Sequence, residues 1–228
     1  MSRRTAWVVV IVCALIFISE IAIPFTVSFA IEKALTRSMP SKDLAISART
    51  FPGVLLLTGR FSKIRADAAD AKIGKLNVHE VHMVVEDATI DIVTLLKTRQ
   101  IIVSESRDTQ VRMVFTESDL KNYLNSEVKE ARNSFVTISK DKVEVKTSAD
   151  LGGLLSLTIG VKGKIIGDSQ SIKFLGETLS IGGAGGLSGG FLSGEIVLVD
   201  LTKLPFKVGV RQVIMEEGKV TILADNHL

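Results

Sequence analysis

The sequence predicts an α+β protein, with an N-terminal membrane helix followed by a mostly antiparallel β-sheet domain packed on one or two helices. Three observations carry that prediction. An uncharged apolar run opens the chain behind Arg3 and Arg4. Beyond it, apolar side chains recur at every second position in one stretch after another, as expected of strands with one buried face. A single later stretch switches to helical spacing, and no strand–helix alternation suggests a doubly wound sheet.

The opening run extends from Thr5 to Ser19, is interrupted by Glu20, and resumes from Ile21 to Ile31. Ala6 to Pro24 forms a helix of about 28 Å, close to one hydrocarbon core. Trp7 then falls at the inner interface, where amphipathic rings are favoured. Glu20 lies within about a turn of the outer one, where burial costs less than the ~2.5–3.5 kcal/mol of mid-membrane. The two arginines on the short side place that end in the cytoplasm and the domain outside, in a single-pass cell-membrane protein. An uncleaved anchor and a cleaved signal peptide both fit, since Ser28 and Ala30 supply small residues before a cut. Cys13 lacks the small residue before it that a lipoprotein signal has. As the sole cysteine it forms no disulfide within the chain. Pro24 ends or kinks the helix, and Glu32, Lys33, Leu35 and Arg37 continue it as a short amphipathic piece to Pro40. The organisation is therefore 1–31 as the transmembrane or signal-anchor segment, 32–42 as helix extension and linker, and 43–228 as the β-rich domain.

Along the domain, Leu44–Ala48 reads as a strand. Phe51–Gly59 is an apolar segment between turn signals, either strand or one helical turn. Ile64–Ile73 alternates weakly. In Val78–Ile92, Val81, Met83 and Val85 share a parity. Thr94–Lys97 resembles a helical turn, Ile101–Val103 opens a strand, and Val111, Met113 and Phe115 alternate in another. Thr116 is a plausible N-cap with Asp119 three residues on, an Asp variant of the capping box. Leu120, Leu124, Val128 and Ala131 then give one apolar stripe, with Asn133 as the stop. Period two returns at Val136–Ile138 and Val143–Val145, a hairpin around Lys140-Asp141-Lys142. It continues at Leu155–Val161, at Gly163–Ile166 and at Ile172–Leu175. Gly182–Gly190 holds six glycines in nine residues. A last unit opens at Leu204-Pro205-Phe206 and closes through Val208, Val210, a turn at Glu216–Gly218, and Val220, Ile222 and Ala224.

Composition excludes some functions. The 228 residues carry 28 Lys and Arg against 25 Asp and Glu. That near balance argues against nucleic acid, which needs a concentrated basic face. Apolar residues make up 46% and mean hydropathy is +0.34, so the domain buries something beyond itself or touches an apolar partner. Catalysis finds little support. On a strand, His79 and His82 point to opposite faces and cannot share a metal. Gly186-Leu187-Ser188-Gly189 lacks the second spacer of a nucleophile elbow. Gly160-Val161-Lys162-Gly163-Lys164 has Ile165 where a phosphate loop needs Ser or Thr. Glu86, Asp87 and Asp91 read as a solvated edge. No catalytic residue, metal ligand or cofactor is assigned.

Thr116-Glu117-Ser118-Asp119-Leu120-Lys121-Asn122-Tyr123-Leu124 is similar to the helix start of the LmeA-like phospholipid-binding proteins, a family of bacterial envelope proteins. So is the closing Leu204-Pro205-Phe206-Lys207-Val208-Gly209-Val210 with Glu217-Gly218-Lys219-Val220, and so is Phe51-Pro52-Gly53 through Gly59. The resemblance covers most of residues 30–226. Lys121 departs from it where Asn is common, and so does the glycine run. It implies a non-enzymatic, extracytoplasmic domain that binds phospholipid or a membrane surface, with a strongly curved sheet wrapped along a helix in the manner of tubular lipid-binding domains. Leu55, Leu56, Leu57, Leu155, Leu157, Phe174, Phe191 and Phe206 are the residues read as lining an acyl groove, against plain core packing for each. The alternative is an envelope scaffold without a cavity, whose apolar excess meets a protein partner along the Val208–Val213 edge.

Overall fold

A computed structural model of the protein describes residues 3–128, 131, 133–151, 155–181 and 194–227. The contacts group them into two units. The first comprises Met1–Ser38, Leu44–Asp67 and Met83–Thr109; the second comprises Met39–Asp43, Ala68–His82 and Gln110–Leu228.

In the first unit one long helix carries the apolar run. It consists of α1 (Arg3–Phe17), a π-helical turn (Ile18–Ala22) and α2 (Ile23–Ser38). Pro24 has no N–H to give the carbonyl four residues back. The ladder widens just ahead of it, with the Ile23 N–H reaching the Ile18 carbonyl. The proline that was expected to end or kink the helix is thus absorbed by a π turn, and the helix goes on. None of α1 is buried. Along α2, Val27, Ile31, Ala34 and Leu35 form a fully buried stripe. Ser28 Oγ accepts the Ala48 N–H at 3.0 Å and so ties β1 (Asp43–Arg49) to the helix.

Phe51–Gly59 resolves as a 3-10 helix, Gly53–Thr58, closed by Gly59 at φ 82. Only glycine fits there: an added Cβ would meet the Ile90 carbonyl oxygen at 2.1 Å. The long strands β2 (Arg60–Ile73) and β3 (Leu76–Ile90) bury one face, with a step at Asp70 and at Asp87. Both aspartates adopt left-handed backbone, φ 48 and 47, and the buried positions shift by one residue beside each, as at a β-bulge. Next come α3 (Ile92–Thr98) and the short β4 (Val103–Glu105). Ile101 and Ile102, expected to open that strand, precede it.

The second unit contains β5 (Asp108–Thr116), most of it from Gln110 on, and α4 (Glu117–Glu127). Strands β6 (Phe135–Ile138), β7 (Val143–Leu151), β8 (Leu155–Gly167), β9 (Ser171–Ile181) and β10 (Glu195–Asp200) follow. The chain then runs through β11 (Gly209–Glu216) and β12 (Lys219–Asp225). One sheet has the order β1-β2-β3-β5-β12-β11, with β4 on β3; the other is β10-β9-β8-β7-β6. Strands pair antiparallel throughout β10-β9-β8-β7-β6 and across β11, β12 and β5, and β4 pairs antiparallel with β3. The fold class is therefore the expected α+β, with antiparallel sheets behind a long apolar helix.

Several boundaries differ from the sequence reading. β8 runs unbroken from Leu155 to Gly167 through Gly163, where the sequence predicts separate strands at Leu155–Val161 and Gly163–Ile166. The Phe174 ring lies over Gly163, and a Cβ there would sit 2.8 Å from that ring. α4 ends at Glu127, six residues short of the expected stop, so Val128 and Ala131 lie outside the helix. β10 was not expected as a strand. Gly182–Gly190 lies outside the described residues.

Within the second unit, α4 makes contact with β6 and also reaches β10, where the Tyr123 hydroxyl donates to the Val197 carbonyl at 2.7 Å. β11 packs against β8 and β9. It is pinned by the Val210 N–H to the Asp168 carbonyl at 3.0 Å, while the Gly218 N–H reaches the Ile138 carbonyl at the other hairpin. Asp168 organises the β8–β9 turn, accepting from the Gln170 and Ser171 amides at 2.8 and 2.7 Å. Those two amides, with help from Lys173, hold its carboxyl down to about 2.

Two outcomes follow from these contacts. The capping box at Thr116 is complete: its hydroxyl accepts from the Asp119 N–H, and the Asp119 carboxylate accepts from the Thr116 N–H at 2.8 Å. Thr116→Ala should therefore lower stability by about 1 kcal/mol in urea denaturation. The Asp168 value is lower when folded than the 3.8 of the free carboxyl. Its contribution is accordingly full above about 3.8 and is lost as pH falls toward about 2. Denaturation at stepped pH should show Asp168→Asn losing part of the wild-type dependence in that window.

Candidate functional site

Polar chemistry does not converge. The carboxylates near the end of β3 are engaged: Glu86 bridges Lys63 at 3.1 Å and Arg107 at 3.0 Å, and Asp87 meets Arg107 at 3.0 Å. Asp91 is the N-cap of α3, accepting from the Val93 and Thr94 amides at 3.0 Å. The Thr94 N–H, then its hydroxyl, lowers the Asp91 pKa. His79 and His82 are both exposed, because the alternation slips between His79 and Glu80. Strict period two, which set them on opposite faces, fails at that point. His79 Nδ1 lies 3.3 Å from Asp70, which also meets Lys42 at 3.6 Å. No group of three or more His, Cys, Asp or Glu among the described residues is placed to hold a metal. Gly160–Lys164 is ordinary β8 strand, with Lys164 paired to Glu177 at 3.3 Å. Ser188 lies outside the described residues.

The apolar residues sort into two places. Leu55, Leu56 and Leu57 share the 3-10 turn but face three ways: Leu56 is fully buried, Leu55 half-buried and Leu57 50% exposed. The rest belong to the second unit. Phe174 is buried in the middle of the five-stranded sheet, opposite Ile165 on β8 and Ile196 on β10. Leu155 and Leu157 are β8 positions that alternate in step with the buried Val161 and Ile165. Phe206 is half-buried just before β11, and Phe191 lies outside the described residues. The buried β8 side chains Val161 and Ile165 are flanked by Val143 and Val145 on β7 and by Ile172, Phe174 and Leu179 on β9; Leu155 and Leu157 share their parity further along the strand. β11, proposed from sequence as a protein-binding edge, has edge-protecting features: a bulge between Val210 and Gln212, and an Arg211–Asp225 ion pair at 3.0 Å.

Sequence reasoning did not anticipate the residues that join the helix to the first unit. Glu20 Oε1 accepts the Gly53 N–H at 3.0 Å, and Ser19 Oγ accepts the Val54 N–H at 3.2 Å. The signal was present in an acidic residue inside an apolar run, which needs a partner to stay there. Tyr123, whose hydroxyl bonds across to β10, was noticed only as part of a helix motif.

Among curated proteins and among solved structures, nothing matches the chain. One family does match, over residues 23–225, which takes in α2 and both sheets. With that match spanning nearly its full length, the chain belongs to the LmeA-like phospholipid-binding family.

Proposed function

We propose that the protein is a single-pass membrane protein whose extracytoplasmic domain binds phospholipid and serves in handling lipid for the cell envelope, without catalysis and without nucleic acid. The observation that carries the reading is the family match over residues 23–225. One helix among the described residues, Arg3–Arg37, is long and apolar enough to cross a membrane. Arg3 and Arg4 at its start favour a cytoplasmic N-terminus.

Retention of the helix is favoured by what α2 does in the first unit. A cut after Ala30 would remove Val27 from the core and Ser28 from its bond to Ala48. The division into 1–31, 32–42 and 43–228 then describes membrane segment, helix extension and binding domain, with the extension part of the folded unit.

Lipid would lie along the β8 row. A strongly curved five-stranded sheet is supported by α4 meeting both of its edges, β6 through packing and β10 through Tyr123. A sheet curled in this way offers its concave face to an acyl chain, gaining about 0.8 kcal/mol for each methylene buried. Leu155 and Leu157 would extend that row at one end of β8, and Phe174 lies across from Ile165 at the other.

The test is native mass spectrometry of the full chain released from detergent. Co-purifying phospholipid is expected. Leu155→Asp with Leu157→Asp should remove it while the thermal midpoint of the lipid-free protein stays within a few degrees of wild type. No bound lipid on the wild-type chain, and no uptake from vesicles, would sink the reading.

A further inference from the structure

Exposed apolar side chains are unevenly shared between the two units. Outside the long helix, eight large ones are exposed among the described residues: Phe51, Val54, Leu57, Val93, Leu96, Ile102, Phe135 and Val197. The first six belong to the first unit, which also contains the apolar helix. Phe51 is the most exposed of all at 82%.

The 3-10 turn that carries Val54 and Leu57, with Phe51 just ahead of it, is fastened to the helix at a defined depth. Its two leading amides, Gly53 and Val54, bond Glu20 and Ser19. The approach is backbone to backbone, since a Cβ on Gly53 would lie 1.9 Å from the Ser19 carbonyl oxygen. A hydrocarbon core takes about 20 residues of helix. Every stretch of that length fitting between Arg4 and Glu32 contains Ser19 and Glu20. If the helix crosses a bilayer, these two residues are inside it, and the turn bonded to them goes with them.

The local chemistry suits that depth. Irregular backbone survives in hydrocarbon only where its polar groups are satisfied. Pro52 has no N–H to satisfy. Gly53 and Val54 are served by the helix, and the Leu55 and Gly59 amides bond the Pro52 and Leu56 carbonyls at 3.0 Å. Thr58 turns its hydroxyl back onto the Leu55 carbonyl at 2.7 Å. α3 also packs on α2. It presents Val93 and Leu96 outward, with exposed Lys97 and Arg99 following at its end, where Arg37 reaches the Thr98 carbonyl at 3.4 Å. Apolar tips followed by basic side chains fit the step from acyl chains to headgroups.

We propose that the Phe51–Thr58 turn, with the outward face of α3 above it, is embedded in the outer leaflet of the bilayer that the same chain's helix crosses. The inference rests on the anchored reading of the helix and goes beyond it: Phe51, Val54 and Leu57 touch bulk bilayer lipid, whatever the β8 row binds.

The test attaches an environment-sensitive fluorophore to single cysteines in the full chain, on a Cys13→Ser background, in phosphatidylcholine vesicles. Sites are V12C on the helix and F51C, V54C and L57C on the turn. All four side chains are exposed, so labelling disturbs no core. Probes at F51C, V54C and L57C should be quenched by nitroxide on the acyl chains and should lose quenching by aqueous iodide, as at V12C. If the turn probes are open to iodide and escape the nitroxide while V12C remains lipid-quenched, the embedded turn is overturned and the anchor stands. If V12C is also open to iodide, the anchored reading fails and the embedded turn fails with it.

Discussion

An acidic and a hydroxyl side chain in an apolar helix need donors, and the first amides of a helical turn need acceptors. In this protein each shortage meets the other. Glu20 and Ser19 take the Gly53 and Val54 amides, and much of the first unit follows from that clasp. It fixes where β1 must finish, since Phe51 and Pro52 have to deliver Gly53 to the helix surface. It fixes the 3-10 turn, whose closing Gly59 accepts the Ile90 N–H at 2.8 Å and so sets the end of β3. That end in turn supplies Asp91, the cap of α3. Pro24 belongs to the same arrangement, because the π turn it calls for is the segment that carries Ser19 and Glu20. Breaking the clasp would leave two amides and a carboxyl without these partners, at a cost of about 1–3 kcal/mol for each group buried unsatisfied.

The second unit solves a different problem. A sheet with one apolar face must shield part of it, and α4 packs on β6 while β11 packs on β8 and β9. α4 supplies Leu120, Tyr123 and Leu124 as its buried side, and Tyr123 brings its hydroxyl to a strand carbonyl instead of burying it unpaired. β11 lies against β8 so closely that Gly167 has no room for a side chain: a Cβ would meet Val210 at 2.5 Å. The glycines at 163 and 167 on β8 therefore read as points of close approach, one to the Leu175 carbonyl and Phe174 ring of β9 and one to Val210 of β11.

Much of this was legible in the sequence, and the failures have physical causes. Period two and the capping box were readable because they depend on neighbours a few residues away, and the Thr116–Asp119 box formed as expected. What was missed depends on distant partners. β8 looked interrupted because Gly163 has no side chain to show, yet a residue eleven positions on, Phe174, fills the space above it. α4 stopped early although Val128 kept the stripe going, because the chain had to turn so that Ser134 could bond Asn125 and β6 could begin. The strict alternation that separated His79 from His82 was undone by a slip visible only in burial. For the candidate site, apolarity identified Leu55, Leu56 and Leu57 as a group but not their directions, which a 3-10 turn sets about 120° apart. The clasp itself was half visible: Glu20 announced a need for a partner, and nothing local said that the partner was Gly53.

The family match begins at residue 23, inside the helix and not after it, and this bears on how anchoring and binding are related. A tether joined through a loose linker would raise local lipid concentration and leave orientation free. Here α2 contributes four core side chains and a hydrogen bond to the first unit, so the helix that would cross the membrane is also a structural member of the domain beyond it. Its tilt and rotation are consequently passed to β1, the 3-10 turn and α3.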